Sequence, residues 1–217
     1  MICAIIPVKA GHESKGRLAH LLSAEERAEL IRSFLRRTLA VLNQVPAVER
    51  TLVVSLDPAV LAVARRYGAS TLFEEGVPGL NTAVTRAVGV ATAARATAAL
   101  ILPADLPFIQ IEDVAMMLAA GGVMNGHGRN GGSGRPPMMV ICPDSDNQGT
   151  NALLISLPAD FVFQYGPGSF HRHCQEADRL GFSSQVVHSP GLTFDLDTEE
   201  DWRIYRATVK LPGYPIT

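Results

Sequence analysis

The chain has 217 residues, of which 47% are hydrophobic and 18% charged, and its formal net charge is −2. It is long enough for one substantial α/β domain over residues 1–217, and without a basic run it is a poor partner for nucleic acid. No apolar segment approaches the ~20 residues of a membrane span, and Met1–Ala4 opens directly into a strand pattern, so no membrane partner, no signal peptide and a cytoplasmic location are expected.

Ile2 to Val8 is a near-continuous apolar run, the mark of a strand buried on both faces. It leads into a polar loop, Lys9 to Arg17, containing Lys9, Lys15 and Arg17 with Gly11 and Gly16. Ser23 and Glu26 form a predicted capping box for a helix whose buried stripe is Leu30, Ile31, Phe34, Leu35, Thr38, Leu39 and Leu42. Thr51 to Ser55 reads as a second strand. Asp57-Pro58 starts a helix that stops at Gly68, and Ser70 to Phe73 is a third strand. After the Gly76–Asn81 loop, Asn81 is expected to cap a helix to about Ala96. Ala98 to Leu102 is a fourth strand, followed by the turn Pro103-Ala-Asp-Leu-Pro107 and a helix from Glu112 to Ala120.

This alternation predicts a mostly parallel sheet with helices on both faces. The Gly-rich stretch 121–137 reads as a flap or a surface insertion. Met138 to Cys142 and Asn151 to Ser156 follow as strands, their short connection predicting antiparallel pairing. Ser169 to Leu180 is a predicted helix, Gln185 to His188 and Leu192 to Leu196 are predicted strands, and Thr198 caps a last helix before an irregular tail, 211–217.

Four features could carry chemistry. Asp105 projects from the turn after a buried strand, where ligands bind in open α/β sheets; it could equally cap the next helix. Asp195 and Asp197 share a face if their segment is extended, and two such charges close together call for a cation; the alternative is that Asp197 and Thr198 begin the last helix, with Asp195 exposed. Asp105 added to that pair suggests a site for a hard ion such as magnesium. The cations Lys9, Lys15 and Arg17 suit a polyphosphate but also an ordinary surface, and their spacing is neither a Walker A motif nor a dinucleotide fingerprint. Gly166-Pro-Gly-Ser169 ahead of a helix suits an anion or a simple N-cap, with Thr150 offering a further hydroxyl. His171 and His173 are wrongly spaced for one ion, and His171 with Cys174 lacks further zinc ligands. No serine-hydrolase elbow occurs. The thiols Cys3 and Cys142 lie in apolar runs and read as inert.

Ile6-Pro-Val-Lys9 with Lys15-Gly-Arg-Leu18, Gly79-Leu-Asn81, Leu102-Pro-Ala-Asp-Leu-Pro107, Gly149-Thr-Asn-Ala-Leu153, Phe163 through Gly166-Pro-Gly-Ser-Phe170 and His173, and Asp195-Leu-Asp-Thr198 together resemble the 2-phospho-L-lactate guanylyltransferase (CofC/FbiD) family, in its order and over nearly the whole chain. The resemblance implies a nucleotidyltransferase fold of Rossmann-like, glycosyltransferase-A type. It implies GTP as donor, magnesium as cofactor, and a phosphorylated three-carbon acid (phosphoenolpyruvate, 2-phospho-L-lactate or 3-phosphoglycerate) as acceptor, in coenzyme F-420 biosynthesis. Carried over residue by residue, Asp105, Asp195 and Asp197 would hold magnesium, and Thr150, Gly166 and Ser169 the acceptor. Lys9, Lys15 and Arg17 would face the triphosphate, Asp105, Lys15 and Arg17 acting in catalysis, with the Asn81 and Pro103 regions lining the nucleotide pocket. The family usually has Ser where this chain has Gly16, and its loop at 121–137 is shorter. Competing readings are a molybdenum-cofactor guanylyltransferase, a sugar-nucleotide synthase, or a non-catalytic nucleotide-binding protein; a homodimer is compatible with this size. A shared metal site requires Asp105 within about 10 Å of Asp195 and Asp197.

Overall fold

The computed structural model of the protein describes residues 1–9, 15–74, 79–123 and 136–210. Gly11, residues 76–78 of the Gly76–Asn81 loop, most of the 121–137 stretch and the 211–217 tail lie outside those residues. The apolar runs become strands β1 (Ile2–Pro7), β2 (Val48–Ser55), β3 (Ser70–Phe73), β4 (Ala98–Ile101), β5 (Met138–Pro143), β6 (Thr150–Ser156) and β7 (Ser183–Val186). They form one sheet in the order β3-β2-β1-β4-β6-β5-β7. Only β6 runs against its neighbours: it is antiparallel to β4 and β5, while the remaining pairs are parallel. The short turn from β5 allows that pairing, as its length predicts.

Helices cover both faces. Successive residues of β1 show why: Ile2, Ala4 and Ile6 belong to one core and Cys3 and Ile5 to the other, as the two-residue period of a strand requires. The first core is closed by α1 (Ala24–Leu42), α2 (Pro58–Arg66), α4 (Ile111–Ala120) and Leu192 of the short α6 (Pro190–Thr193); the second by α3 (Leu80–Ala93) and α5 (Ser169–Arg179). The last helix, α7 (Glu199–Thr208), brings Trp202 and Tyr205 against Leu18, Phe34 and Leu196. Ser23 with Glu26 and Thr198 with Asp201 form capping boxes, and Asp57 caps α2 ahead of Pro58. Both Cys3 and Cys142 are buried, with thiols pushed up by desolvation. No helix among the described residues is long and apolar enough to cross a membrane.

Two expectations fail. Asn81 does not cap α3; Gly79 precedes that helix with no side-chain cap. Leu192 to Leu196 is not a strand, because Pro190 to Thr193 closes a helical turn whose Gly191 packs against the start of α4. A methyl group at Gly191 would lie 2.1 Å from Asp113 Oδ2 and 2.8 Å from the Phe108 carbonyl oxygen. Asp113 cannot easily retreat, since it accepts hydrogen bonds from Ser189 and from the Gln110 amide. Gly191→Ala is therefore expected to destabilise the fold by about 2 kcal/mol, the usual cost of overpacking, measurable as a lower urea midpoint at unchanged slope.

Candidate active site

The candidate residues gather at the carboxyl ends of the parallel strands. Because β6 is antiparallel, its first residues reach the same edge: Ile101 pairs with Leu153, so Thr150 and Asn151 lie alongside the Pro103–Asp105 turn. A cleft of about 890 Å³ opens there, with Lys9, Lys15, Arg17, Pro103, Asp105 and Asp197 in its lining.

Lys15 is the centre of this cleft. Its backbone is left-handed (φ 55°) and begins a 3-10 turn, Gly16–Leu18, anchored by fully buried Leu18. The side chain is only 4% exposed, and Nζ lies 2.6 Å from Asp105 Oδ2 and 2.7 Å from Asp197 Oδ1. Burial disfavours its charge, but the two carboxylates more than offset this and raise its pKa. Arg17 stands outside at 3.7 Å from Asp197 and is largely exposed. A Cβ at Gly16 would meet nothing within 4 Å.

Asp105 does not cap the following helix; Gln110 holds that position with Asp113. Its backbone carbonyl instead accepts the Leu196 amide at 3.2 Å, which ties the 195–197 segment to the β4 turn. Asp195 and Asp197 therefore point the same way without forming a strand, and a carboxylate oxygen from each of the three aspartates lies within 4.8 Å of the others. Asn151 Nδ2 donates to Asp195 Oδ1 at 3.2 Å and to the Thr193 carbonyl at 3.0 Å. Burial, followed by the charge of Asp105, pushes Asp195 up to about 6. Burial also opposes ionisation of Asp197, but Lys15 outweighs it and holds that carboxyl below its ordinary value. Asp105 Oδ1 is buried with no hydrogen-bond partner. An orphaned carboxylate oxygen within an all-oxygen set of three acids fits a hard divalent cation.

The other candidates form a second group on the opposite side of β6. Thr150 Oγ1 lies 3.0 Å from His173 Nδ1 and 3.1 Å from Ser169 Oγ, and all three residues are buried. The segment before Ser169 is pinned along its length. Glu176 accepts the Val162 amide, His173 Nε2 accepts the Gln164 amide, and Arg172 donates to the carbonyls of Gln164 and Pro167. Gly166 (φ 122°) and Gly168 (φ 74°) make the turn into α5 in conformations that L side chains rarely adopt. The Ser169 amide is spent on Gly166 and the Phe170 amide on Gln148, so an anion there would rely on other donors. Asn81 differs most from expectation. Gly79 and Leu80 line the cleft, while the Asn81 carboxamide accepts the Tyr165 amide at 2.7 Å and donates to the Tyr165 carbonyl at 3.3 Å. Arg172 carries no sequence signal beyond helical position, and His173 is marked by the family resemblance but not for its inward hydrogen bonds.

A Rossmann-like sheet with acidic groups and cations at its carboxyl edge defines a nucleotidyltransferase-type protein. Solved structures share this fold: a proposed nucleotide-diphospho-sugar transferase from Desulfovibrio desulfuricans G20 aligns with TM-score 0.75 at 15% identity, over 98% of this chain and 89% of that one. A nucleotidyl transferase from Methanothermobacter aligns with TM-score 0.63 at 15% identity, over 97% and 98%. Residues 2–204 match the family model for guanylyl transferase CofC-like proteins. The chain is 42% identical over 200 residues to the phosphoenolpyruvate guanylyltransferase of Rubrobacter xylanophilus (92% of this chain, 91% of the relative). It is 34% identical over 199 residues to the 2-phospho-L-lactate guanylyltransferase of Methanothermobacter thermautotrophicus (92% and 81%). The protein belongs to the CofC-like guanylyltransferase family and is an enzyme of the transferase class.

Without a cation the three carboxylates are in conflict. Asp195 titrates near 6 in the fold against its ordinary 3.8, so its favourable contribution is complete below about pH 4 and is lost as pH rises through 6. In the presence of a chelator, Asp195→Asn should be about 1 kcal/mol more stable than wild type at pH 8 and no different at pH 4, read from urea melts. Equal stability at pH 8 would mean the charges are already relieved.

Proposed function

We propose that the protein moves GMP from GTP onto the phosphate of a phosphorylated three-carbon acid, releasing pyrophosphate, in coenzyme F-420 biosynthesis. One nucleotidyltransferase domain spanning 1–217 carries both substrates. The observation behind this reading is the convergence of Asp105, Asp195 and Asp197 beside a cleft lined with cations. Relatives named as guanylyltransferases of phosphoenolpyruvate and 2-phospho-L-lactate support the donor and the acceptor class. Phosphoenolpyruvate is the acceptor we infer first, because the more similar of those two relatives carries that name.

In this reading an oxygen of the acceptor phosphate bonds to the α-phosphorus of GTP while the bond to the α,β-bridging oxygen breaks, and that oxygen departs with pyrophosphate. The attacking phosphate is already anionic at neutral pH, so no side chain has to remove a proton. The protein's tasks are alignment and charge neutralisation. Lys9, Lys15 and Arg17 face the triphosphate, with Lys15 held in place by its two carboxylates. The Pro103 turn and the start of α3 before Asn81 form the nucleotide walls. Thr150, Ser169 and the turn at Gly166 hold the acceptor. Asp105, Asp195 and Asp197 would hold magnesium, which when bound neutralises charge on the reacting phosphates. The reaction belongs to the cytoplasm, where GTP is available, and requires neither nucleic acid nor membrane; a homodimer is compatible with it.

Purified protein given GTP and magnesium should release pyrophosphate with phosphoenolpyruvate, 2-phospho-L-lactate or 3-phosphoglycerate; silence with all three removes the reading. Asp105→Asn should lower turnover at least ~10²-fold with an unchanged circular dichroism spectrum. Chelation should have the same effect, reversed by added magnesium.

A further inference from the structure

His173 stands behind the acceptor hydroxyls, and the reaction as described makes no use of it. Its side chain is fully buried, with the Tyr165 ring at 4.8 Å and the Phe161 ring at 5.8 Å. Nε2 lies 3.0 Å from the backbone nitrogen of Gln164. An amide N–H can only donate, so Nε2 carries its lone pair. Burial, with Arg172 adding to it, pushes the ring's pKa down to about 4, so the imidazole is neutral near pH 7 and its one proton is on Nδ1. Nδ1 is 3.0 Å from Thr150 Oγ1, and the ring therefore donates to that oxygen.

Counting hydrogens then fixes the polarity of the pair. Thr150 and Ser169 have two hydroxyl hydrogens and one hydrogen bond between them, at 3.1 Å. With Nδ1 as donor, one hydroxyl hydrogen is left over. Among the described residues neither hydroxyl has a further partner. With the other tautomer, Thr150 would donate to the ring and Ser169 to Thr150; both hydrogens would be consumed, and the pair would present only lone pairs. Ser169 is the donor in its bond to Thr150, so the outstanding hydrogen is Thr150's own. Accepting two bonds also polarises that O–H and strengthens it as a donor.

We propose that His173 is a positioning residue for the acceptor: by holding the Nδ1–H tautomer against Thr150, it keeps one hydroxyl hydrogen available for an oxyanion of the acid, whether carboxylate or phosphate. This rests on the proposed function. The same ring ties the Gln164 amide to α5, so one side chain sets both the course of the loop and the polarity of its hydroxyls.

Long-range proton–nitrogen NMR of the substrate-free protein should show His173 protonated at Nδ1 and bare at Nε2. In steady-state assays with GTP and phosphoenolpyruvate, His173→Phe should raise KM for the acid roughly tenfold or more, the loss expected for one hydrogen bond to an anion, while KM for GTP stays within about twofold. His173→Asn, which restores a donor toward Thr150, should recover most of that loss. A proton on Nε2, an unchanged KM for the acid, or equal rises in both KM values would overturn the proposal. If His173→Phe does not fold, the asparagine variant and the NMR spectrum still decide. A wild-type enzyme inert with every acid would instead defeat the functional reading, while the tautomer, measured without substrate, stands or falls separately.

Discussion

The site depends on a single electrostatic arrangement: the Lys15 ammonium wedged between Asp105 and Asp197, with Asp195 close behind. Three carboxylates this close repel one another, and one buried lysine only partly balances them. The surroundings supply the restraint. A backbone hydrogen bond joins Leu196 to Asp105, Asn151 holds Asp195, and fully buried Leu18 anchors the turn that aims Lys15. None of Lys15, Asp105, Asp195 and Asp197 belongs to the hydrophobic clusters on either face of the sheet.

The sheet explains how such distant pieces meet. Lys15 follows β1, Asp105 follows β4, and Asp195 follows the last turn packed on α4, so three chain reversals end at one edge. The reversed strand β6 then brings Thr150 and Asn151 to that edge from the opposite direction. The strand's alternation sends Asn151 toward the carboxylates and Thr150 toward α5. Two chemically different groups of side chains thus meet one strand from opposite sides.

Much of this was legible in the chain. Strand-like runs located all seven strands to within about three residues, and local pairs such as Ser23 with Glu26 or Asp57 with Pro58 located helix starts, because their partners lie within one turn. Asp105 was legible as a residue in a rigid turn after a buried strand. What stayed hidden depended on distant partners. Asn81 reads as a cap, yet its carboxamide is satisfied 84 residues away by Tyr165. Leu192 to Leu196 has strand composition, but Gly191 lets the chain turn tightly against Asp113 and coil instead. The inward face of His173 follows from a hydrogen-bond chain that no spacing rule encodes.

The Asn81 clamp has a mechanical meaning. Gly79 and Leu80 belong to the wall of the cleft, and Tyr165 directly precedes the Gly166 turn, so one carboxamide bonded to both the amide and the carbonyl of Tyr165 acts as a spacer between that wall and that turn. The spacing between the cleft wall and the Gly166 turn is therefore set by a single side chain. A displacement of Asn81 would break both bonds unless the Tyr165 segment moved with it.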